Sequence, residues 1–252
     1  VPLNLIKLPS SQPRRYFDER KLEELSRSIK QFGVLEPLLV RPLADGEYEL
    51  IAGERRLKAS IMAGLTEAPV VVHDMDDTTT HQVRLIENLQ REDLNPLEET
   101  EGILELLALT LQRERSLVVS LLYKMQNEAK GKITSNILGS DESVAVQGIF
   151  DALGKITWES FVGSRLPLLK LPEDVKQALL KGQIEYTKAC AIGKVKDSEA
   201  RAQLLEEAIN NSLSFEEIKN LIKTHKVGDS TPSLKSEYKD LTKKLGTSKV
   251  WE

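Results

Sequence analysis

Cysteine and histidine are scarce in this sequence, and their scarcity excludes several kinds of site. A single cysteine, Cys190, rules out an internal disulfide, and three histidines spread along the chain offer no zinc-ligand spacing. Cys190 lies among small and apolar residues, which favours a role as a small hydrophobic side chain facing the core. A disulfide scaffold and a structural zinc domain are therefore both excluded.

Long apolar runs and a strong basic charge are also missing. Charged residues make up 29% of the 252 residues, and no apolar run approaches the roughly 18 residues needed to span a bilayer. The first residues lack the charged start and apolar stretch of a secretory signal, so we expect a cytoplasmic protein without membrane contact. The net charge of −4 argues against tight non-specific DNA binding, whereas site-specific binding needs only a local basic face.

Residues 53–56, with the sequence Gly-Glu-Arg-Arg, have the composition of an anion-binding helix start. The preceding residues 48–52 predict a strand, and 56–63 predict a helix that ends at Gly64. Free backbone N–H groups at a helix start favour an anion, and two arginines add forked hydrogen bonds to phosphate oxygens. A triphosphate is the expected ligand.

A second polar cluster lies on a helix predicted over 81–92. That helix is predicted from the spacing of apolar positions, Val83, Ile86 and Leu89 or Gln90. Glu87 and Arg91 are four residues apart and share a face, with Asn88 beside them. Magnesium takes oxygen ligands from carboxylates and amides, so Glu87 and Asn88 are candidate ligands. Taken singly, each of these charged features is also typical of an ordinary solvated helix.

Helix and strand signals alternate over the first 95 residues. The helix predicted over 20–31, capped by Asp18 and stopped by Gly33, carries an apolar stripe of Leu22, Leu25, Ile29 and Phe32. Strands are predicted over 37–43, 48–52 and 69–72. An α+β domain over 1–95 and a helical domain over 96–225 follow. The Gly, Ser, Thr and Lys-rich stretch 226–252 is expected to be a flexible tail or linker.

The helical domain contains a helix, turn and helix in the order of a DNA-reading motif, over 144–153, Gly154 and 157–170. The alternative is a plain hairpin of a helical bundle. Trp158 is expected to be a packing anchor rather than to stack on DNA, because tryptophan buries a large apolar area. Residues 124–143 are interpreted as an insertion containing two loops.

Taken in order, these blocks resemble the ParB family of DNA-partition proteins, also called ParB/Spo0J-like. The matching blocks are Gln12-Pro13-Arg14, the helix 22–29 and its continuation 32–41, then 53–59, 87–99 and 161–172. The resemblance implies an α+β ParB/sulfiredoxin-like N-terminal domain followed by an all-α helix-turn-helix domain. It also implies a CTP- and Mg²⁺-dependent dimeric clamp that closes on a centromere-like site in double-stranded DNA.

Site residues carried over by motif fall into three groups. Those expected to bind CTP are Arg14, Gly53, Glu54, Arg55, Arg56, Asn88 and Arg91, with Glu87 and Asn88 as magnesium ligands. Glu36 and Glu54 are the catalytic candidates for hydrolysis of CTP to CDP and phosphate. The candidates for DNA contact are the residues expected to be exposed on the second helix, Thr157, Glu159, Ser160, Ser164 and Arg165.

The resemblance further implies a homodimer, a partner ATPase of the Walker type, and association with the nucleoid or a plasmid. No stretch matches the family's C-terminal dimerisation domain, so we expect dimerisation to rest on the N-terminal region and the nucleotide. The sequence begins at Val1 without methionine, and we expect the segment that contacts the ATPase to be missing.

Three departures from the family pattern shape the functional expectations. Glu36 stands where the family has glutamine, which adds negative charge near the expected phosphates and is expected to alter turnover more than binding. The turn after Gly154 is about two residues longer, and Trp158 and Glu159 replace basic or small polar residues, so the DNA site is expected to be non-standard. Glu54 stands where sulfiredoxins carry their catalytic cysteine.

Two classes of function remain open at this stage. One is the CTP-dependent clamp, and the other is a sequence-specific DNA-binding regulator of the same fold that does not hydrolyse the nucleotide. Nuclease action ranks last, since the sequence shows no multi-carboxylate cluster of the kind that holds two metals.

Overall fold

The computed structural model describes residues 1–9, 19–91 and 94–228. The chain divides into two compact units, one formed by 1–94 with 99–162 and the other by 95–98 with the chain from Gly163. Asp18 and the block Gln12-Pro13-Arg14 lie outside the described residues, as do residues 229–252 of the predicted tail. The functional boundaries at 95 and 225 stay a prediction.

The described elements are mixed in the first third of the chain and helical afterwards. The strands are β1 (Ile6–Lys7), β2 (Leu38–Pro42), β3 (Tyr48–Ala52) and β4 (Val70–Val72). The α-helices are α1 (Glu19–Phe32), α2 (Glu54–Met62), α3 (Asp77–Leu89), α4 (Pro96–Leu111), α5 (Arg115–Ala129), α6 (Asp141–Leu153), α7 (Trp158–Ser160), α8 (Glu173–Leu180), α9 (Tyr186–Ile192), α10 (Ser198–Asn210) and α11 (Phe215–Gly228).

A four-stranded sheet in the order β1-β3-β2-β4 organises the start of the first unit. β2 and β3 are antiparallel, joined by the short turn Ala44–Gly46, where Asp45 has a φ of 63°. β1 runs parallel to β3, and β4 runs parallel to β2. Leu38 and Val40 alternate into the core from β2, where they pack with Leu50 and Leu57. Strand β1 is the element that the sequence reasoning missed.

Helix α1 confirms the predicted position, but its apolar stripe is only partly correct. Ile29 is buried and Leu22 and Leu25 are half-buried, whereas Phe32 is 62% exposed. Phe32 is the last residue of α1, and the chain turns away at Gly33, whose φ is 76°. The stripe therefore ends one turn before the prediction placed its end.

Helix α3 begins four residues earlier and ends three residues earlier than the predicted 81–92. Its buried residues are Thr80, Leu85 and Leu89. Of the predicted core face, Leu89 is buried and Val83 is half-buried, whereas Ile86 is 37% exposed, so the prediction was wrong for Ile86. Arg84 lies against the sheet, where it donates to the Leu50 carbonyl at 2.9 Å and pairs with Glu49 Oε1 at 3.1 Å. The Asp76 side chain caps the helix by accepting from the Thr79 N–H at 2.7 Å, and this hydrogen bond lowers the pKa of Asp76.

The second unit is a bundle around one apolar core. Its most buried members include Val175, Ile192, Leu204 and Ile218 from four helices, and Cys190 packs half-buried at the margin. Burial raises the pKa of the Cys190 thiol, as expected for a small hydrophobic residue beside a core. Among the residues described, no helix of either unit is long and apolar enough to cross a membrane.

A capping box forms the start of α11. The Glu217 carboxylate accepts from the Ser214 backbone N–H at 2.7 Å, and the Glu217 N–H donates to the Ser214 hydroxyl at 3.3 Å. Hydrogen bonds from the Ser214 hydroxyl and from the Ser214 backbone N–H to the Glu217 carboxylate lower the pKa of Glu217. Asp174 and Arg201 add a forked ion pair between α8 and α10, with Nε–Oδ2 at 2.9 Å.

Candidate nucleotide site and DNA-reading helices

Several segments of the first unit converge at one end of its sheet. The carboxyl end of β3 leads into Gly53, and the antiparallel register that pairs Leu39 with Ala52 brings the start of β2 beside it. Helix α3 starts after β4, which leaves the sheet beside Val40. Arg84 already reaches Leu50, so each further turn of α3 leads toward the end that holds Gly53. The direction of α3 therefore carries the predicted block 87–91 toward the end of the sheet where the block 53–56 begins.

Gly53 makes the sharp entry into α2 that this end of the sheet requires. Its φ is 102°, in the left-handed region, and a Cβ added there would lie 2.9 Å from Leu38 Cδ2 and 3.3 Å from Arg56 Nη2. The first helical hydrogen bond runs from the Leu57 N–H to the Gly53 carbonyl. The N–H groups of residues 54–56 precede that bond and form an anion-binding helix start.

The two arginines of this helix start have different surroundings. Arg56 Nη1 donates to the carbonyls of Glu36 and Pro37, at 2.9 and 2.6 Å, and lies 3.4 Å from Glu36 Oε2. Arg56 therefore fixes the segment before β2, a role that the sequence reasoning missed. Arg55 is half-buried and makes no hydrogen bond or ion pair with the described part of the chain. Its guanidinium is available for a ligand.

The predicted catalytic carboxylates both lie at this end of the sheet. Glu54 Oε1 lies 2.7 Å from Lys58 Nζ but is buried without a hydrogen bond of good geometry. The Lys58 ammonium therefore offsets the charge of Glu54 at the start of the helix. The Glu36 carboxylate is 81% exposed beside Arg56. A phosphate that approaches Arg56 would therefore meet the charge of Glu36.

The C-terminal turn of α3 presents the predicted metal ligands. Glu87 is exposed, and Asn88 is half-buried with its Oδ1 accepting from Arg91 Nη1 at 3.0 Å. One carboxylate and one amide oxygen suit magnesium, which commonly adds water and nucleotide phosphates to few protein ligands. No group of three or more acidic, His or Cys side chains forms a metal site within the described residues. An ion held here would need the phosphates as ligands.

Helix α6, its turn and α7 have the predicted helix-turn-helix order. Gly154 ends α6 with a φ of 63°, and Thr157 caps α7 by accepting from the Ser160 N–H at 3.3 Å. Trp158 is buried, with 8% exposed, so its predicted role as a packing anchor is confirmed. Thr157, Glu159 and Ser160 are exposed, as a DNA-contacting surface requires.

The next candidates, Ser164 and Arg165, belong to the second unit and are half-buried rather than exposed. The predicted single helix over 157–170 is instead α7 followed by a π-helical stretch, Phe161–Arg165, and a 3₁₀ stretch, Leu166–Lys170. The Arg165 guanidinium stacks 4.5 Å above the Tyr186 ring, and its neighbour Leu166 is buried. Packing of this stretch into the second unit accounts for the lost exposure.

Comparison with known proteins identifies the family. The ParB N-terminal domain model matches residues 1–89, and the ParB HTH domain model matches residues 150–227. The chain belongs to the ParB family. The predicted family and fold class, a mixed-sheet ParB domain followed by a helical helix-turn-helix domain, are therefore confirmed.

Two curated relatives of this ParB-family chain carry partition names. A probable plasmid-partitioning protein ParB from Thermus thermophilus is 48% identical over 87% of this chain and 72% of its own length. A probable chromosome 2-partitioning protein ParB from Deinococcus radiodurans is 40% identical over 84% of this chain and 68% of its own length. Both plasmid and chromosome partition proteins are thus among its relatives.

One similar solved structure is the C-terminally truncated chromosome-partitioning protein ParB from Caulobacter crescentus, complexed to the centromeric parS site. It is 32% identical and covers 88% of this chain and 97% of that one, with a TM-score of 0.56.

Proposed function

We propose that this ParB-family chain binds CTP with Mg²⁺ at the end of the sheet that holds 53–56 and acts as a CTP-dependent dimeric clamp on a centromere-like DNA site. The proposal is supported by a helix start whose first N–H groups lack helical partners, by Arg55, which has no partner among the described residues, and by α3, which runs toward the same end of the sheet. The choice of CTP comes from the resemblance of these motifs to the ParB family.

Each candidate residue has a role that follows from its position. The N–H groups of 54–56 and the Arg55 guanidinium would hold the phosphates, with Arg14 as a further contact implied by the motif. Glu87 and Asn88 would hold magnesium, which would neutralise phosphate charge. Arg91 would bind a phosphate oxygen once Asn88 turns to the metal, because their present hydrogen bond engages the same amide oxygen that the ion would take.

Direct nucleotide binding tests the site. Wild type, Arg55→Ala and Lys7→Ala are titrated with CTP, ATP, GTP and UTP in magnesium buffer. Lys7→Ala is the matched control, because it removes one exposed cation from β1, where Lys7 pairs with Glu47 at the other end of β3. We expect selective CTP binding that is weakened at least tenfold in Arg55→Ala and unchanged in Lys7→Ala. Absence of nucleotide binding by folded wild type would overturn the proposal.

Arg56→Ala is a less direct probe than Arg55→Ala. Arg56 holds the carbonyls of Glu36 and Pro37, so its removal also frees the segment before β2. A loss of CTP binding in Arg56→Ala therefore does not separate phosphate contact by Arg56 from displacement of that segment.

DNA binding is tested by selecting duplexes from a random library with the full chain, which needs no assumption about the site. We expect one enriched inverted repeat, because a symmetric dimer presents two copies of α7 and its flanking residues. CTP should increase chemical cross-linking between two copies in the presence of the selected duplex. A partner ATPase of the Walker type belongs to the same proposal and would be recovered with the DNA-bound dimer.

A specific observation favours the second candidate, a DNA-binding regulator that does not hydrolyse its nucleotide. The Glu36 carboxylate lies 3.4 Å from Arg56 Nη1, where it opposes the negative charge of a bound triphosphate. Release of phosphate from CTP separates the two functions: binding without release identifies the regulator, and DNA-stimulated release identifies the clamp.

A further inference from the structure

A hydrogen bond inside the first unit joins the helix-turn-helix turn to the end of α3. Lys155 Nζ donates to the backbone carbonyl of Arg91 at 2.8 Å, between residues 64 positions apart in the chain. Lys155 directly follows Gly154, the left-handed residue that ends α6. The hydrogen bond therefore links the turn after α6 to the residue that follows the C-cap of α3.

The acceptor is well suited to a cation. Arg91 directly follows Gln90, the C-cap of α3, so its carbonyl lies beside the partial negative charge of the helix C-terminus. The Arg91 N–H also donates to the Asn88 carbonyl at 3.3 Å, and its guanidinium donates to Asn88 Oδ1 at 3.0 Å. By binding the Arg91 carbonyl, Lys155 helps to fix the backbone position of Arg91 and so the hydrogen bond between the Arg91 and Asn88 side chains.

The donor, Lys155, lies next to α7, the helix proposed to contact DNA. Lys155 lies two residues before Thr157, the cap of α7, and α7 is anchored by buried Trp158. Gln126 Nε2 reaches the Glu159 carbonyl at 3.5 Å from α5, so the backbone of α7 is held on a second side. A shift of exposed Thr157 or Glu159 on DNA would move Lys155 with the turn.

We propose that Lys155 is a positioning residue that couples DNA contact at α7 to nucleotide binding at the end of α3. The inference rests on the proposed function and assigns the coupling between DNA binding and nucleotide binding to the Lys155 side chain. When DNA moves the turn, Lys155 releases or re-aims the Arg91 carbonyl, and Asn88 and Arg91 change their fit to Mg²⁺ and phosphate. Coupling between two ligands is reciprocal, so each must alter the affinity for the other by the same factor.

The experiment measures that factor. The dissociation constant of Mg²⁺-CTP-γ-S is determined with and without the duplex selected from the random library, for wild type, Lys155→Met, Lys155→Arg and Lys132→Met. Methionine keeps the length and apolar stem without the donor, and arginine restores a donor. Lys132 is an exposed lysine in the 130–140 loop of the same unit and serves as the control for lost charge.

We expect a coupling factor of about fivefold or more in wild type, Lys155→Arg and Lys132→Met, and a factor near one in Lys155→Met. If Lys155 also contacted a DNA phosphate, its loss in Lys155→Met would weaken DNA binding equally with and without nucleotide. That effect would therefore cancel from the coupling factor. The thermal midpoint checks that each variant folds.

The possible results separate the inference from the function beneath it. Equal coupling in wild type and Lys155→Met, or a wild-type factor of one with both ligands bound, overturns the role of Lys155 alone. Failure of wild type to bind CTP-γ-S overturns the proposed function, and the inference with it.

Discussion

Replacement of Gly53 by alanine tests whether the entry into α2 needs glycine for its backbone angle alone or also for close packing. Gly53 combines a φ of 102° with a predicted Cβ contact of 2.9 Å to Leu38 Cδ2. Leu38 is fully buried, with 0% exposed, so it has little room to withdraw. Both penalties should fall on the Gly53→Ala variant together.

The two contributions can be given magnitudes. An L-residue held in the left-handed region costs about 1–2 kcal/mol. Overpacking of a filled core by one methyl group adds about 1–3 kcal/mol. We expect Gly53→Ala to lower the free energy of unfolding by about 2–5 kcal/mol. Because the added methyl group would displace the start of α2, we also expect weaker CTP binding.

The matched control is Gly64→Ala. Gly64 has a φ of 77°, and a Cβ there meets nothing within 4 Å, so this variant carries the backbone cost of about 1–2 kcal/mol alone. Urea unfolding of both variants, followed by circular dichroism, gives the difference that is due to packing against Leu38. Equal losses in the two variants would refute the close-packing argument and leave only the backbone angle.

Three further predictions follow from individual contacts. Glu36→Gln should raise CTP turnover about fivefold with little change in KM, because it removes about 1 kcal/mol of charge repulsion near the phosphates. Equal rates of steady-state phosphate release by the variant and the wild type would contradict this. Trp158→Ala should cost about 3–5 kcal/mol and lower DNA affinity and thermal midpoint together, whereas a loss of affinity at an unchanged midpoint would mean that Trp158 faces DNA. Ser214→Ala should destabilise the chain at neutral pH and progressively less as the pH falls. The folded-state pKa of Glu217 is lowered, so the stabilisation from its carboxylate is lost as Glu217 is protonated. A pH-independent loss of stability in urea titrations would show that the carboxylate takes no part.

Local sequence signals predicted most elements because the determinants lie within a few residues. Tyr48–Ala52 is bounded by Gly46 and Gly53, and the structure gives the predicted strand without change. The Ser214 and Glu217 pair produces its capping box for the same reason. The family itself was also predictable, since its motifs are contiguous blocks in a fixed order.

Helix rotation and exposure were less predictable, because they depend on partners far along the chain. No local pattern indicates that Arg84 would reach Leu50, and in the structure Leu85 is buried while Ile86 is 37% exposed. Exposure of Ser164 and Arg165 failed as a prediction because Tyr186 and a buried core lie beside them. Strand β1 was missed because its two residues show no periodic pattern.

Contiguous motifs were enough to predict the family and the order of most helices and strands, and they supplied the residue types expected at a triphosphate and magnesium site. The arrangement in space was needed to show that Arg56 holds the carbonyls of Glu36 and Pro37, whereas Arg55, its neighbour at the helix start, has no partner among the described residues. It alone also decided that Lys155 meets Arg91. The physical reason is that a hydrogen bond depends on distance in space, and sequence reports only distance along the chain.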